Sequence, residues 1–217
     1  MIKLLIEKLE PALNKLLKGA KKLTDIDKAK NWRPLNKWLK RYTGDLCKFL
    51  GAVSEASVIS ALLKHIHGLV LYFAALPKSA KVLSKHLVQL WSTHEEESVR
   101  VLALMAIVRL VRSTLNSEHG SLLEMVIKQM YMAYIRNAKF TSPNTWPMIH
   151  FMRRSMVEVF LLDPALAYKH AFIYIRQLTI HLRNAMINNN GSEGGSGKDQ
   201  KKKENPLQTV RVISPFT

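Results

Sequence analysis

The stretch Asp163-Pro-Ala-Leu-Ala-Tyr-Lys-His-Ala-Phe-Ile-Tyr-Ile-Arg-Gln-Leu-Thr-Ile-His-Leu-Arg-Asn-Ala185 decides the fold. Asp163 is placed to cap a helix by accepting backbone N–H bonds. Pro164 suits the first helical position, where no N–H is needed. The segment then runs about six turns with no breaker. Apolar or small residues recur at Ala165, Tyr168, Phe172, Ile175, Leu182 and Met186. A second apolar line passes through Leu166, Ile173, Ile180 and Ile187. A helix apolar on two sides is expected to pack between neighbours rather than lie on a surface. Its remaining edge carries Lys169, Arg176 and Arg183, seven apart, which form one basic line. The helix is therefore read as both a core element and a contact face.

The same period extends through most of the chain. Leu4, Leu5, Leu9, Leu13, Leu16 and Leu17 fall at helical spacing, with Pro11 expected to kink or shorten that helix. Lys18 to Arg33 is polar and reads as a loop. Pro34 opens a helix through Trp38, Leu39, Leu46 and Leu50. Ser54 or Ser57 is placed to cap another, which ends at Pro77. A shorter helix spans Ser79 to Trp91. Glu95, Glu96 and Glu97 favour the positive end of the next helix dipole. Its body, Ser98 to Val108, is nearly all apolar and reads as a central helix buried on most sides. Further helices run from about Ser121 to Asn137 and from Thr145 to Leu162. Short connections predict antiparallel neighbours.

Glu97-Ser-Val-Arg-Val-Leu-Ala-Leu-Met-Ala-Ile107 is similar to the second helix of HEAT-type repeats. Helix pairs recur at about 40 residues, which suits such a stack. The expected fold is all-α: a HEAT/armadillo-like helical-repeat stack, or α-solenoid, of seven to nine helices over residues 1–187. A compact irregular bundle is the other arrangement the pattern allows.

Composition bounds the function. The 217 residues suffice for one sizeable core, and the 47% hydrophobic content is that of a folded protein. A formal charge of +17 favours polyanionic partners: RNA, DNA or acidic protein tails. The first 50 residues hold thirteen Lys/Arg against five Asp/Glu. Lys15, Lys18, Lys21, Lys22, Lys37, Lys40 and Arg41 read equally as an RNA phosphate grip or a solvated lysine face. The single cysteine, Cys47, sits among Leu46, Phe49 and Leu50 and reads as a buried thiol. It leaves no intramolecular disulfide or thiol-rich metal site.

The start has charges inside its apolar run and is not read as a secretory signal. Uninterrupted apolar runs such as Val101 to Val108 fall far short of the roughly 18 residues that span a bilayer. No membrane contact is expected. His65 and His67 face different directions on one helix, and His94-Glu-Glu-Glu97 lacks the second histidine of a zinc-protease helix. No nucleophile–base pair or Gly-rich phosphate loop stands out. The expectation is no enzyme, no cofactor and no metal. Trp32, Trp38, Trp91 and Trp146 read mostly as core.

The end of the chain has another composition. Residues 188–203 combine a Gly/Ser run with Lys198 to Lys203 and read as a flexible linker, engineered in origin. Residues 204–217 carry Leu207, Val210, Val212, Ile213 and Phe216 and read as a tethered peptide ligand from a partner. A natural disordered tail is the alternative.

Lys139-Phe-Thr-Ser-Pro143 and Phe151-Met-Arg-Arg154, followed in order by the Asp163 helix, resemble the core of the nucleolar complex protein 2 family. The resemblance is sharpest from about Met130 to Met186 and ends where the Gly/Ser run begins. It implies a non-enzymatic, helical-repeat scaffold in large (60S) ribosomal subunit assembly, in the nucleolus and nucleus. The implied partners are other nucleolar complex proteins and the pre-ribosomal particle with its rRNA. Candidate partner or RNA contacts are Lys139, Arg153, Arg154, Lys169, Arg176 and Arg183. The competing function is a peptide-binding adaptor for transcription or chromatin factors, with the short extended peptide 204–217 as ligand.

Overall fold

The computed structural model describes residues 2–17, 23–115, 121–139 and 141–190. Among them the regular structure is helical throughout: α1 (Ile2–Leu16), α2 (Leu23–Asp27), α3 (Trp32–Ala52), α4 (Ala56–Ala74), α5 (Pro77–Thr93), α6 (Glu97–Thr114), α7 (Ser121–Ala138), α8 (Trp146–Phe160) and α9 (Pro164–Asn190). The chain divides into two compact units, Met1–Met130 and Tyr131–Thr217, with the division inside α7.

In the first unit, α4 is the hub. It packs on α1, α2, α3, α5 and most extensively on α6, while α3 also meets α5. Ile59, Leu62, Leu63, Ile66, Leu69, Val70 and Phe73 of α4 are buried. They recur every three or four residues, and the positions between them also turn toward neighbours, as expected of a helix surrounded by others. At 19 residues α4 is long and apolar enough to cross a membrane by length and composition alone. Counting uninterrupted runs misses this, because Lys64, His65 and His67 break the run. Half of the helix is buried inside the protein, as for the core helix of a globular unit.

The expectation that the Ser98–Val108 helix is the one buried on most sides is thus corrected. On α6, Val99, Ala103, Ala106, Ile107, Leu110 and Val111 face inward, while Val101 and Met105 are exposed. Its small residues Ala103 and Ala106 are fully buried. Sequence hydrophobicity alone cannot separate these cases, because α6 is nearly as apolar as α4 over its first half.

Other boundaries also shift. The expected loop from Lys18 to Arg33 contains α2, whose Ile26 is fully buried. Trp32 is buried at the start of α3, so that helix opens two residues before Pro34. Pro11 sits inside α1, which continues through it; its ring faces solvent. Neither Ser54 nor Ser57 caps α4: Glu55 holds the cap position, and Ser57 Oγ donates to Glu55 Oε1 at 2.5 Å. Trp32 and Trp91 are core residues as expected, whereas Trp38 and Trp146 are exposed, Trp38 stacked on Tyr42.

Two polar links tie the unit together. Tyr42 Oη and His65 Nε2 share a hydrogen bond of 2.7 Å between α3 and α4. Tyr72 Oη donates to Asn14 Oδ1 between α4 and α1. Gly68 is where the Glu10 carboxylate of α1 lies against α4, in space that a Cβ would occupy.

Candidate interaction surface

The second unit carries all six basic positions singled out by sequence, and α9 displays three of them. Asp163 Oδ1 accepts the Leu166 N–H at 3.0 Å, the cap that its side chain promised. The inward line of α9 is short. Ala167 and His170 are buried, and Tyr174 stacks on Tyr131 of α7 with ring centroids 3.6 Å apart. Burial, and then the neighbouring Tyr174 and Tyr134 phenols, hold the Tyr131 phenol well above its ordinary range. His170 packs obliquely beside Tyr174.

The lines expected to be packed between neighbours are the ones left open. Tyr168 is 74% exposed, Phe172 62%, Ile175 59% and Met186 65%. Ile173, Ile180 and Ile187 of the second line are exposed too. That expectation is corrected: the inward face is a third line, and both apolar faces reach solvent. The period reports that two faces avoid water; it does not report that the covering surface lies within this chain.

Lys169, Arg176 and Arg183 are all exposed. A step of seven residues turns an ideal helix by nearly two full revolutions, so they form one edge of the open face. No ion pair to them is seen among the described residues. Arg153 and Arg154 of α8 diverge. Arg153 is half-buried and opposes only part of the burial-driven rise of the Tyr134 phenol, whereas Arg154 is exposed. Lys139 is exposed just after α7. Sequence reasoning grouped these six; the structure puts three on one helix edge and gives Arg153 an intramolecular role.

In the first unit a cleft of about 530 Å³ opens between the α3–α4 turn and the α5–α6 turn, lined by Ile59, Leu90, His86, His94 and Glu96 among others. The His94 ring nitrogen Nδ1 accepts the Glu96 N–H at 3.1 Å, so this histidine serves the turn. Among the described residues no group of three or more His, Cys, Asp or Glu could hold a metal ion. Of the basic N-terminal positions, Lys15, Lys37, Lys40 and Arg41 are exposed. Lys18, Lys21 and Lys22 lie outside the described residues, as do the linker from residue 191 and Leu207, Val210, Val212, Ile213 and Phe216 of the expected peptide.

Comparison with known proteins fixes the family. A family model described as the Noc2p family matches residues 121–208, the span holding α7, α8 and α9. Nucleolar complex protein 2 of Drosophila melanogaster is 44% identical over 192 residues, 86% of this chain and 24% of that protein. The chain belongs to the Noc2p family. The nucleolar complex protein 2 homolog of Caenorhabditis elegans is 34% identical over 150 residues, covering 69% of this chain and 20% of its own length. Nucleolar complex-associated protein 2 of Arabidopsis thaliana is 26% identical over 189 residues, 83% of this chain and 24% of its own length. The chain thus spans about a quarter or less of the Noc2p relatives it matches. The family match continues to residue 208, past Gly191 to Gly197, so the likeness does not stop at the Gly/Ser run as expected. With relatives named for the nucleolus, this Noc2p member is assigned to the nucleolus and nucleus.

Proposed function

We propose that this chain is part of a non-enzymatic scaffold in large ribosomal subunit assembly. It binds other nucleolar complex proteins first and pre-ribosomal RNA second. The observation that carries this reading is α9: a family-matched helix whose long apolar faces and basic edge are left open. A surface of that kind is costly to leave in water and is used for association. Lys169, Arg176 and Arg183 serve the protein contact. Lys139 and Arg154, with the exposed lysines of the first unit, supply sequence-independent phosphate contacts.

The architecture in this reading is a HEAT-like stack. Two helix pairs, α3–α4 and α5–α6, repeat at an interval of about 40 to 45 residues, within the usual range for such units. The contacts between α4 and α6 and between α3 and α5 are those that stacking one pair on the next requires. Residues 204–217 enter as a peptide segment joined through residues 188–203; deleting them and finding unchanged stability counts against a bound tail.

The test is cross-linking of the full-length protein on pre-ribosomal particles. Protein cross-links should concentrate on α9, and RNA cross-links on the basic positions outside it. Sedimentation of the full-length protein apart from pre-ribosomal particles, with no RNA cross-links, overturns the reading.

A further inference from the structure

The open face of α9 has a finer pattern than amphipathicity. Tyr168, Phe172, Ile175, Thr179, Leu182 and Met186 are separated by four, three, four, three and four residues. That is the alternating spacing of the two seam positions of a coiled coil, held for the length of the exposed helix. Leu182 is half-buried and the other five are exposed. Thr179 is the polar member, and its Oγ1 donates to the Ile175 carbonyl at 3.0 Å. Its hydroxyl is therefore satisfied within the helix, and covering the seam strands no polar group there.

The flanks of the seam are unequal. Lys169, Arg176 and Arg183 each follow a seam residue and occupy the same flanking position in successive heptads. The opposite flank holds Ala171, Leu178 and Ala185. Flanking charges in coiled coils choose the partner, and here one whole flank is cationic. We propose that α9 is one strand of a heteromeric coiled coil, whose other strand is an amphipathic helix of a separate protein bearing acidic residues along its flank. The seam from Tyr168 to Met186 covers about 27 Å of helix, so the partner contributes about three heptads. A second copy of this chain fits poorly: antiparallel pairing sets the basic flanks against each other, and each copy carries a charge of +17. The tail fits poorly as well, since Lys198 to Lys203 and Arg211 repeat the sign of the flank. The proposal rests on α9 as a partner-binding helix and not on the ribosomal assignment.

The test uses the whole chain and two labelled synthetic peptides of four heptads, with Leu at the seam positions. One carries Glu at both flanking positions and the other Lys; like charges keep each peptide from pairing with itself at neutral pH. Binding is read by fluorescence anisotropy. The Glu peptide should bind at least 10-fold more tightly than the Lys peptide. Phe172→Asp and Ile175→Asp, at solvent-facing positions, should each weaken it by 10-fold or more with helical circular dichroism unchanged. The triple variant Lys169→Glu, Arg176→Glu, Arg183→Glu should reverse the preference. Equal binding of both peptides, or no effect of the seam variants, overturns the proposal. So does a dimer of the chain that Phe172→Asp dissociates, which assigns the seam to a second copy. So does binding that emerges only after residues 191–217 are removed, which assigns it to the tail. Tighter binding of a single-stranded RNA, indifferent to Phe172→Asp, assigns the face to RNA instead. Loss of pre-ribosomal association in the preceding experiment leaves this result untouched.

Discussion

Arg100 shows how a charged residue becomes structural in an all-helical unit. It is buried in α6, and its Nη1 donates to the His94 carbonyl at 3.1 Å and the Glu95 carbonyl at 3.0 Å. The guanidinium thus straps the turn that leads from α5 into α6, satisfying carbonyls that no helix bond reaches. This is the arginine of the valine–arginine pair whose likeness to HEAT helices stands out in sequence. Arg100→Met keeps the apolar stem and loses the strap. It should lower stability by about 1.5–3 kcal/mol, the usual range for hydrogen bonds to a charged group, measured by urea denaturation. Cys47 is the opposite case, a side chain with chemistry that the fold disables. Burial pushes its thiol from 9.0 to about 11. Alkylation at pH 8 should leave native protein unlabelled and label it fully in denaturant, as read by mass. Because the folded value lies above the unfolded one, this contribution to stability is complete below pH 9 and is lost as pH rises toward about 11. Cys47→Ala should flatten that alkaline limb.

At the scale of elements, α4 and α6 share the main contact of the first unit. Ile107 is fully buried on α6, whereas Met105 is half exposed on the same helix. Ile107→Ala should cost about 2–5 kcal/mol through lost transfer energy and the cavity left behind. Met105→Ala should stay within about 0.5 kcal/mol, as surface changes do. Equal costs, compared by thermal unfolding, would show that α6 is buried on both sides after all. The helices themselves were legible in sequence because their period and punctuation agree: Pro77 falls at the expected end of the preceding helix, although α5 opens there rather than at Ser79, and Asp163-Pro164 opens α9 at the boundary seen. The short α2 was not, since its five residues include three polar ones and only the burial of Ile26 and Leu23 holds it.

For the whole molecule, the surplus of 33 Lys/Arg over 16 Asp/Glu sets how it meets a polyanion. If about six cations engage phosphates of single-stranded RNA, the logarithm of the affinity should fall with the logarithm of salt at a slope near −4. A salt titration of RNA binding by the whole chain checks this, and a slope near zero would mean that the basic edges are only solvated. The candidate surface was half legible. Its residues were all named from sequence, since Tyr168, Phe172 and Ile175 keep their spacing whatever covers them. Their exposure was not, because period alone cannot say which neighbour supplies the cover.

Sequence by itself determined the helical class, the main helix boundaries, the basic edge and the family, because hydrogen-bond capping, side-chain period and charge are local properties of the chain. Tertiary structure decided that α4 rather than α6 is the hub, that Arg100 braces a turn, and that two apolar lines of α9 face water. Those outcomes depend on which surfaces meet across distant segments, and an apolar stripe gains the same free energy from any partner that keeps water off it.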